Sequence, residues 1–339
     1  MTASLSRRRF LALGLGSAGL AVCGASRWFR NSATPAFSNL RAFNRTSWAL
    51  GADVSLSVLH DDESAARAAL NAAFVELDSV ENALSLYRAH SQISRLNRDG
   101  FIERPHAHLT RVLNASLDMS RSSNGAFDAS VQPLWDLYFA AKKRNTLPQA
   151  AEISAARTRV DWTQIVSTPE RISFKIPGMA LTFNGIAQGY AADRVIAVLQ
   201  AHGIEHALVD TGEFEARGRK TDGALFRVGI QHPRKPDSLA AVCALDGRAL
   251  ATSGDYATTF SDDFVYHHIF NPATGRSPSE LASVSIVAPT GMIADALTKP
   301  VFVLGVQKGL ELLQNMPECE GYLISKDGQT FATKNFPLV

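Results

Sequence analysis

The chain has 339 residues, 46% hydrophobic and 19% charged, a balance that excludes intrinsic disorder and allows one large domain or two closely packed lobes. Of its 34 basic residues, Arg7, Arg8 and Arg9 lie in an N-terminal leader; without them 31 basic residues face 32 acidic ones, which offers no electrostatic case for a nucleic-acid partner. Neither Cys243 nor Cys319 belongs to a CxxC pair or a metal-ligand spacing, so zinc and dithiol redox chemistry are unsupported.

Residues 1–25 read as an address. Ser6-Arg7-Arg8-Arg9-Phe10-Leu11 followed by an apolar Gly/Ala-rich run to Val22 is similar to a twin-arginine export signal, and the run is too short to span a membrane, which needs about 20 residues. Val22 is bulky where a lipoprotein box has a small residue before Cys23, so cleavage near Ala25 is expected in place of a lipid anchor. Export to the periplasm, or to the outer face of the cytoplasmic membrane, follows. Residues 26–45 read as a polar linker and 46–339 as the functional domain.

Val54, Leu56 and Val58 alternate as in a half-buried strand. Asp61, Asp62 and Glu63 then place negative charge where a helix N-terminus favours it, and Leu70, Ala73, Leu77, Val80 and Leu84 continue at helical spacing. The polar stretch SLYRAHSQISRLN holds Tyr87 at the exit of that helix; by itself this fits a rim aromatic over the core. A second helix through Leu109, Val112 and Leu113 stops at Asn124-Gly125, ahead of GAFDASVQPLWDLY. Residues 139–160 read as a solvated helical connector.

Ala180 to Phe183 reads as a strand, Asn184-Gly185 as a turn and Ile186 onward as a helix, a succession that can hold a phosphate-sized anion. The strand His206 to Asp210 opens a meander expected to run on to Gln231, and strand Ser283 to Val287 leads into a helix whose first turn holds Asp295. Pro300 is expected to kink or break that helix. A further helix, Val306 to Asn315, and a hairpin across Lys326-Asp327-Gly328 close the chain. Helices lie between strands, as in a mixed α+β domain.

Five segments in order, SLYRAHSQISRLN, GAFDASVQPLW, NGIAQGYAADRV, ATSGDY with HHIFNPATG, and SVSIVAPTGMIADAL followed by FVLG, resemble the ApbE family. Its members are FAD:protein FMN transferases and, in some cases, FAD pyrophosphatases. The resemblance spans Leu50 to Gly328 and implies an α+β fold of two lobes around an FAD-binding cleft. It also implies transfer of FMN from FAD to a threonine hydroxyl of an extracytoplasmic acceptor flavoprotein, with release of AMP and with Mg2+. A magnesium-dependent FAD pyrophosphatase and a non-catalytic flavin-delivery protein are the alternatives.

By this resemblance Tyr87 stacks on the isoalloxazine ring, and Ala126, Phe127 and Asp128 line the adenosine part of FAD. Thr182 and Gln188 stand where the family has an Asp and a Lys contacting FAD, and Ile269 lies beside the flavin. The resemblance further implies that Gly185 lends a backbone oxygen to magnesium and that Asp295 is the acidic ligand; by residue type His268 is either a base or proton shuttle or only a hydrogen-bond partner of the ligand, with His267 structural. The family's metal-side Thr, four residues after the Asp, is Lys299 here; the nearest hydroxyl, Thr298, comes one residue early, about 100° around the helix. Thr298 and Asp295 are nonetheless the candidate side-chain metal ligands.

Overall fold

A computed structural model describes residue 37 and residues 39–339, so the export leader and most of the linker lie outside the described residues. The first strand, β1 (Arg41–Ala49), begins inside the stretch read as linker and pairs with β2 (Ala52–His60) across Leu50-Gly51, both at positive φ. The exposed, polar outer edge of β1 is why it does not alternate like a half-buried strand. Helix α1 (Glu63–Leu84) follows, capped by Asp62, whose carboxylate accepts from the amides of Ser64 and Ala65 at 2.7 and 3.1 Å. Then come α2 (Gln92–Asp99), β3 (Phe101–Glu103), α3 (Ala107–Ser122), α4 (Gln132–Lys143), α5 (Ala150–Arg157), β4 (Ile165–Ser167), β5 (Arg171–Phe174) and α6 (Ala187–Ala201). The second half contains β6 (His206–Asp210), β7 (Phe214–Arg217), β8 (Phe226–His232), β9 (Lys235–Leu245), β10 (Ala249–Gly254), β11 (Leu281–Ala288), α7 (Gly291–Gln314), β12 (Glu320–Ser325) and β13 (Thr330–Ala332).

Eight strands form one antiparallel sheet in the order β1-β2-β6-β7-β10-β11-β12-β13. One face packs against α1, α3, α6 and α7 through Val54, Leu56, Leu77, Ile196, Val284, Ile286 and Phe302. The other face, from β7 to β12, is covered by the β8–β9 ribbon through Phe226, Val228, Ile230, Cys243 and Leu245. Every residue of β11 is buried as a result. The expected meander therefore ends at β7: the alternating apolar residues of β8 belong to a lid on the sheet, where one face alone needs to be dry. A smaller lobe gathers α4, α5 and the loop after β10 around Leu134, Tyr138, Ile153, Phe260 and Phe270. Cys243 and Cys319 are free and buried, and burial pushes their thiols up to about 12 and about 11.

Two expected elements differ. Residues 180–183 are extended but join no sheet; the Asn97 side chain accepts from Leu181 N at 2.7 Å and donates to Leu181 O at 2.8 Å, standing in for a neighbouring strand. Helix α7 runs through Pro300 and breaks at Gly305, whose φ of 80° suits glycine alone. Val306 then starts the second helical segment as expected.

Helices α6 and α7 touch through backbone. A Cβ on Gly189 would sit 2.0 Å from the Gly291 carbonyl oxygen, and one on Gly291 2.4 Å from that of Gly189. Neither oxygen is a flexible side-chain end, so relief requires the helices to part. Gly189→Ala is expected to lower stability by about 2–3 kcal/mol, in the range of overpacked cores, as read by chemical denaturation.

Candidate active site

The two lobes enclose an open cleft of about 1350 Å³. Tyr87, Ala126, Phe127, Asp128, Thr182, Gly185, Gln188, His268 and Ile269 all line it, although they come from four separated segments. Asp295 and Thr298 do not.

Tyr87 is 64% exposed and stands against Gly51, where any Cβ would meet its ring at 2.6 Å. Both sides of this contact hang on buried Glu81: Oε1 accepts from Leu50 N at 2.8 Å, and Oε2 accepts from Arg88 at 2.5 Å. Arg88 also donates to Asp78 and Asn82, so the turn carrying Tyr87 is tied back onto α1. An aromatic ring fixed by its backbone and open on one face is a stacking platform, not a core side chain. Asp128 is spent locally: Oδ1 accepts from Ser130 N and Oγ at 2.7 and 2.6 Å and Oδ2 from Trp162 N at 3.2 Å, while burial raises its pKa. Its role is to shape the wall that presents Ala126 and Phe127.

Also lining the cleft, His268 bonds Thr258 O through its amide at 3.0 Å and through Nδ1 at 3.2 Å. A carbonyl requires Nδ1 to donate, which leaves the lone pair on Nε2. His267 is fully buried, bonds Pro278 O through Nε2 at 3.1 Å, and is pushed down to about 4 by burial, in keeping with a structural role. Sequence reasoning missed the clamp that holds this wall. Arg234, from the β8–β9 turn, makes two 2.7 Å bonds to fully buried Asp255 and lies 4.2 Å from the Phe264 ring centroid, and Lys326 approaches Asp255 from behind at 3.6 Å. Arg234 also lines the cleft. The pair is separated by 21 residues, and no local pattern announces it.

The cleft floor departs most from expectation. Asp295 is fully buried and lies in the second turn of α7, because Thr290 caps the helix and Gly291 is its first residue. One carboxylate oxygen accepts a close bond from Lys299 Nζ and the other accepts from Gly189 N at 3.1 Å. That amide is one the expected anion site at the start of α6 would have used, and a carboxylate of the chain already fills the role. Thr298 is also fully buried; its hydroxyl donates to Asp295 O at 2.7 Å and pairs with Ser253 Oγ at 2.8 Å. Nor does any cluster of three His, Cys, Asp or Glu suited to a metal occur among the described residues. The donor set that the resemblance assigns to magnesium does not fit the ion, since both oxygens of its only carboxylate are engaged and an ammonium stands beside it.

Below the floor, Asp193 accepts from the amides of Gly291 and Met292, fixing the start of α7. It faces Glu215, which is 1% exposed at its side chain. Burial and then the adjacent Asp193 raise the Glu215 pKa; Arg217 opposes this at 2.7 Å but divides its donors among Glu215, Ala216 O and Gly247 O. Burial raises the pKa of Asp193 as well.

The sequence profile of the ApbE family matches residues 50–323. The chain belongs to the ApbE family. It is 30% identical over 327 residues to the FAD:protein FMN transferase of Treponema pallidum (strain Nichols), covering 87% of this chain and 88% of that one. It is likewise 30% identical over 274 residues to the FAD:protein FMN transferase of Escherichia coli (strain K12), covering 76% and 77%. The fold superposes on the apo flavinyl transferase ApbE of Pseudomonas stutzeri with a TM-score of 0.76 at 30% identity, covering 87% and 95%. The ApbE protein of Thermotoga maritima gives 0.79 at 25% identity, covering 87% and 98%.

A buried acid whose folded pKa is raised adds stability that is complete at low pH and lost as pH rises. The parent is expected to lose stability from the ordinary carboxylate range into alkaline pH, and Glu215→Gln to lose less over the same interval, in thermal melts at a series of pH values.

Proposed function

We propose that this chain transfers FMN from FAD to a threonine hydroxyl of an acceptor flavoprotein outside the cytoplasm, releasing AMP. The observation that carries this reading is the open cleft, which the exposed Tyr87 platform and His268 both line in one ApbE-family fold. At about 1350 Å³ it exceeds the roughly 300–1,000 Å³ that suits a small ligand, leaving room for a dinucleotide and an acceptor loop together.

In this reading the flavin stacks on Tyr87, the adenosine end runs along Ala126 and Phe127, and the pyrophosphate lies over Gly185, Gln188 and Lys299. The acceptor oxygen attacks the FMN phosphorus. Its proton passes to Nε2 of His268, the new P–O bond joins FMN to the threonine, and the broken pyrophosphate bond leaves with AMP. His268 then returns the proton to the leaving phosphate or to water. The twin-arginine-like leader supports export, which would place the acceptor in the periplasm or on the outer face of the membrane.

Incubating the protein with FAD and an acceptor domain bearing a threonine in a small-residue motif is expected to yield a covalently fluorescent acceptor and one AMP per label. FMN and AMP released with the acceptor unlabelled would identify a pyrophosphatase instead, and FAD bound but uncleaved a delivery protein. His268→Ala is expected to slow labelling about 10²- to 10⁴-fold with FAD affinity retained. Tyr87→Ala is expected to weaken FAD binding by up to about 10-fold, measured by flavin fluorescence quenching.

A further inference from the structure

We propose that the Lys299 ammonium supplies, from within the chain, the positive charge that a magnesium ion would otherwise bring to the FAD pyrophosphate, so that FAD is bound and split without a divalent cation. The proposal rests on the transferase reading for its substrate.

Three observations converge on Lys299. Its Nζ bonds both the carboxylate and, at 3.2 Å, the backbone oxygen of Asp295, two oxygens a cation would seek. Its stem covers Gly185: a Cβ there would meet Cε at 2.9 Å and Cδ and Cγ at 3.3 Å. The lysine thus occupies the space between Gly185 and Asp295. Finally, its side chain is 20% exposed and lines the cleft, whereas Asp295 is sealed below it. An ion entering from the cleft would meet the ammonium before either carboxylate oxygen of Asp295.

The rest of the floor is consistent with this. Oδ2 of Asp295 is taken by Gly189 N, and the Thr298 hydroxyl is held by Ser253 and Asp295 O, so neither turns to a metal without breaking a buried bond. Charge balance follows the same course. Thr182 and Gln188, both on the cleft wall, are neutral where the family resemblance has an Asp and a Lys, so an acid and a base are missing together. With Asp295 neutralised by its own helix neighbour, phosphate oxygens over Gly185 face an ammonium with one donor beyond the two spent on Asp295. Lys299 leaves them a fixed cation that needs no recruitment.

The test uses FAD affinity, which needs no acceptor, alongside labelling. The parent, stripped with EDTA, is expected to bind FAD as tightly as in magnesium, and Mn2+ titrated with FAD present is expected to show no protein-bound signal by electron paramagnetic resonance. Lys299→Met is expected to weaken FAD binding about 10- to 100-fold, the scale of a lost charge-assisted contact, with its fold checked by circular dichroism. FAD affinity in the parent that falls in EDTA and returns with magnesium would overturn the proposal, as would a folded Lys299→Met with undiminished affinity. Labelling that vanishes in EDTA and returns with magnesium would likewise overturn it, whereas labelling absent with and without magnesium, with metal-independent FAD binding intact, would count against the transferase reading and leave the role of Lys299 in binding standing.

Discussion

The backbone contact between Gly189 and Gly291 is the constraint on which the site depends. Only two residues without side chains let α6 and α7 approach until the carbonyl of one would collide with a Cβ of the other. That approach brings Asp295, in the second turn of α7, within 3.1 Å of an amide in the first turn of α6. It also lays Lys299 over Gly185 at the turn before α6. A separation wider by one side chain would leave a buried carboxylate short of a donor, at a cost comparable to the contact itself.

Charge is anchored in layers around this contact. Asp193 fixes the first amides of α7, and Asp295 joins the two helices one turn further along. On the wall, Asp255 binds Arg234 from the ribbon and Lys326 from the β12–β13 turn, so the lid on the sheet, the loop carrying His268 and the last hairpin share one buried acid. Glu81 does the same for the β1–β2 turn and Tyr87. Each of these acids is buried and paired, which makes it costly to remove and specific in what it positions. The cleft is a cavity between rigid elements because its lining loops are tied by such acids and not by apolar packing alone.

The departures from the family pattern are concentrated at one place. Tyr87, Phe127 and His268 line the cleft, while at its floor Asp295 is paired with Lys299. Positions 182, 188 and 299 all line the same cleft, the last of them over Gly185 at the turn before α6.

Much was legible from residues alone. Helix α1 and its capping acid, β6, the closing hairpin, the second segment of α7 and the structural His267 follow from periodicity, capping and turn chemistry, which are local. The five motifs marked the residues that line the cleft. What the sequence could not decide is what each side chain meets across the fold. Thr182 looked like part of a strand because its neighbours are apolar, yet an asparagine 84 residues before Leu181 supplies the missing hydrogen bonds. Arg234 and Asp255 carry no motif, and Asp295 reads as a metal ligand until Lys299 and Gly189 are seen to hold both its oxygens. Spacing determines which residues share a helix face; only the packing of α6 on α7 determines whether a carboxylate on that face looks into a cleft or into a lysine.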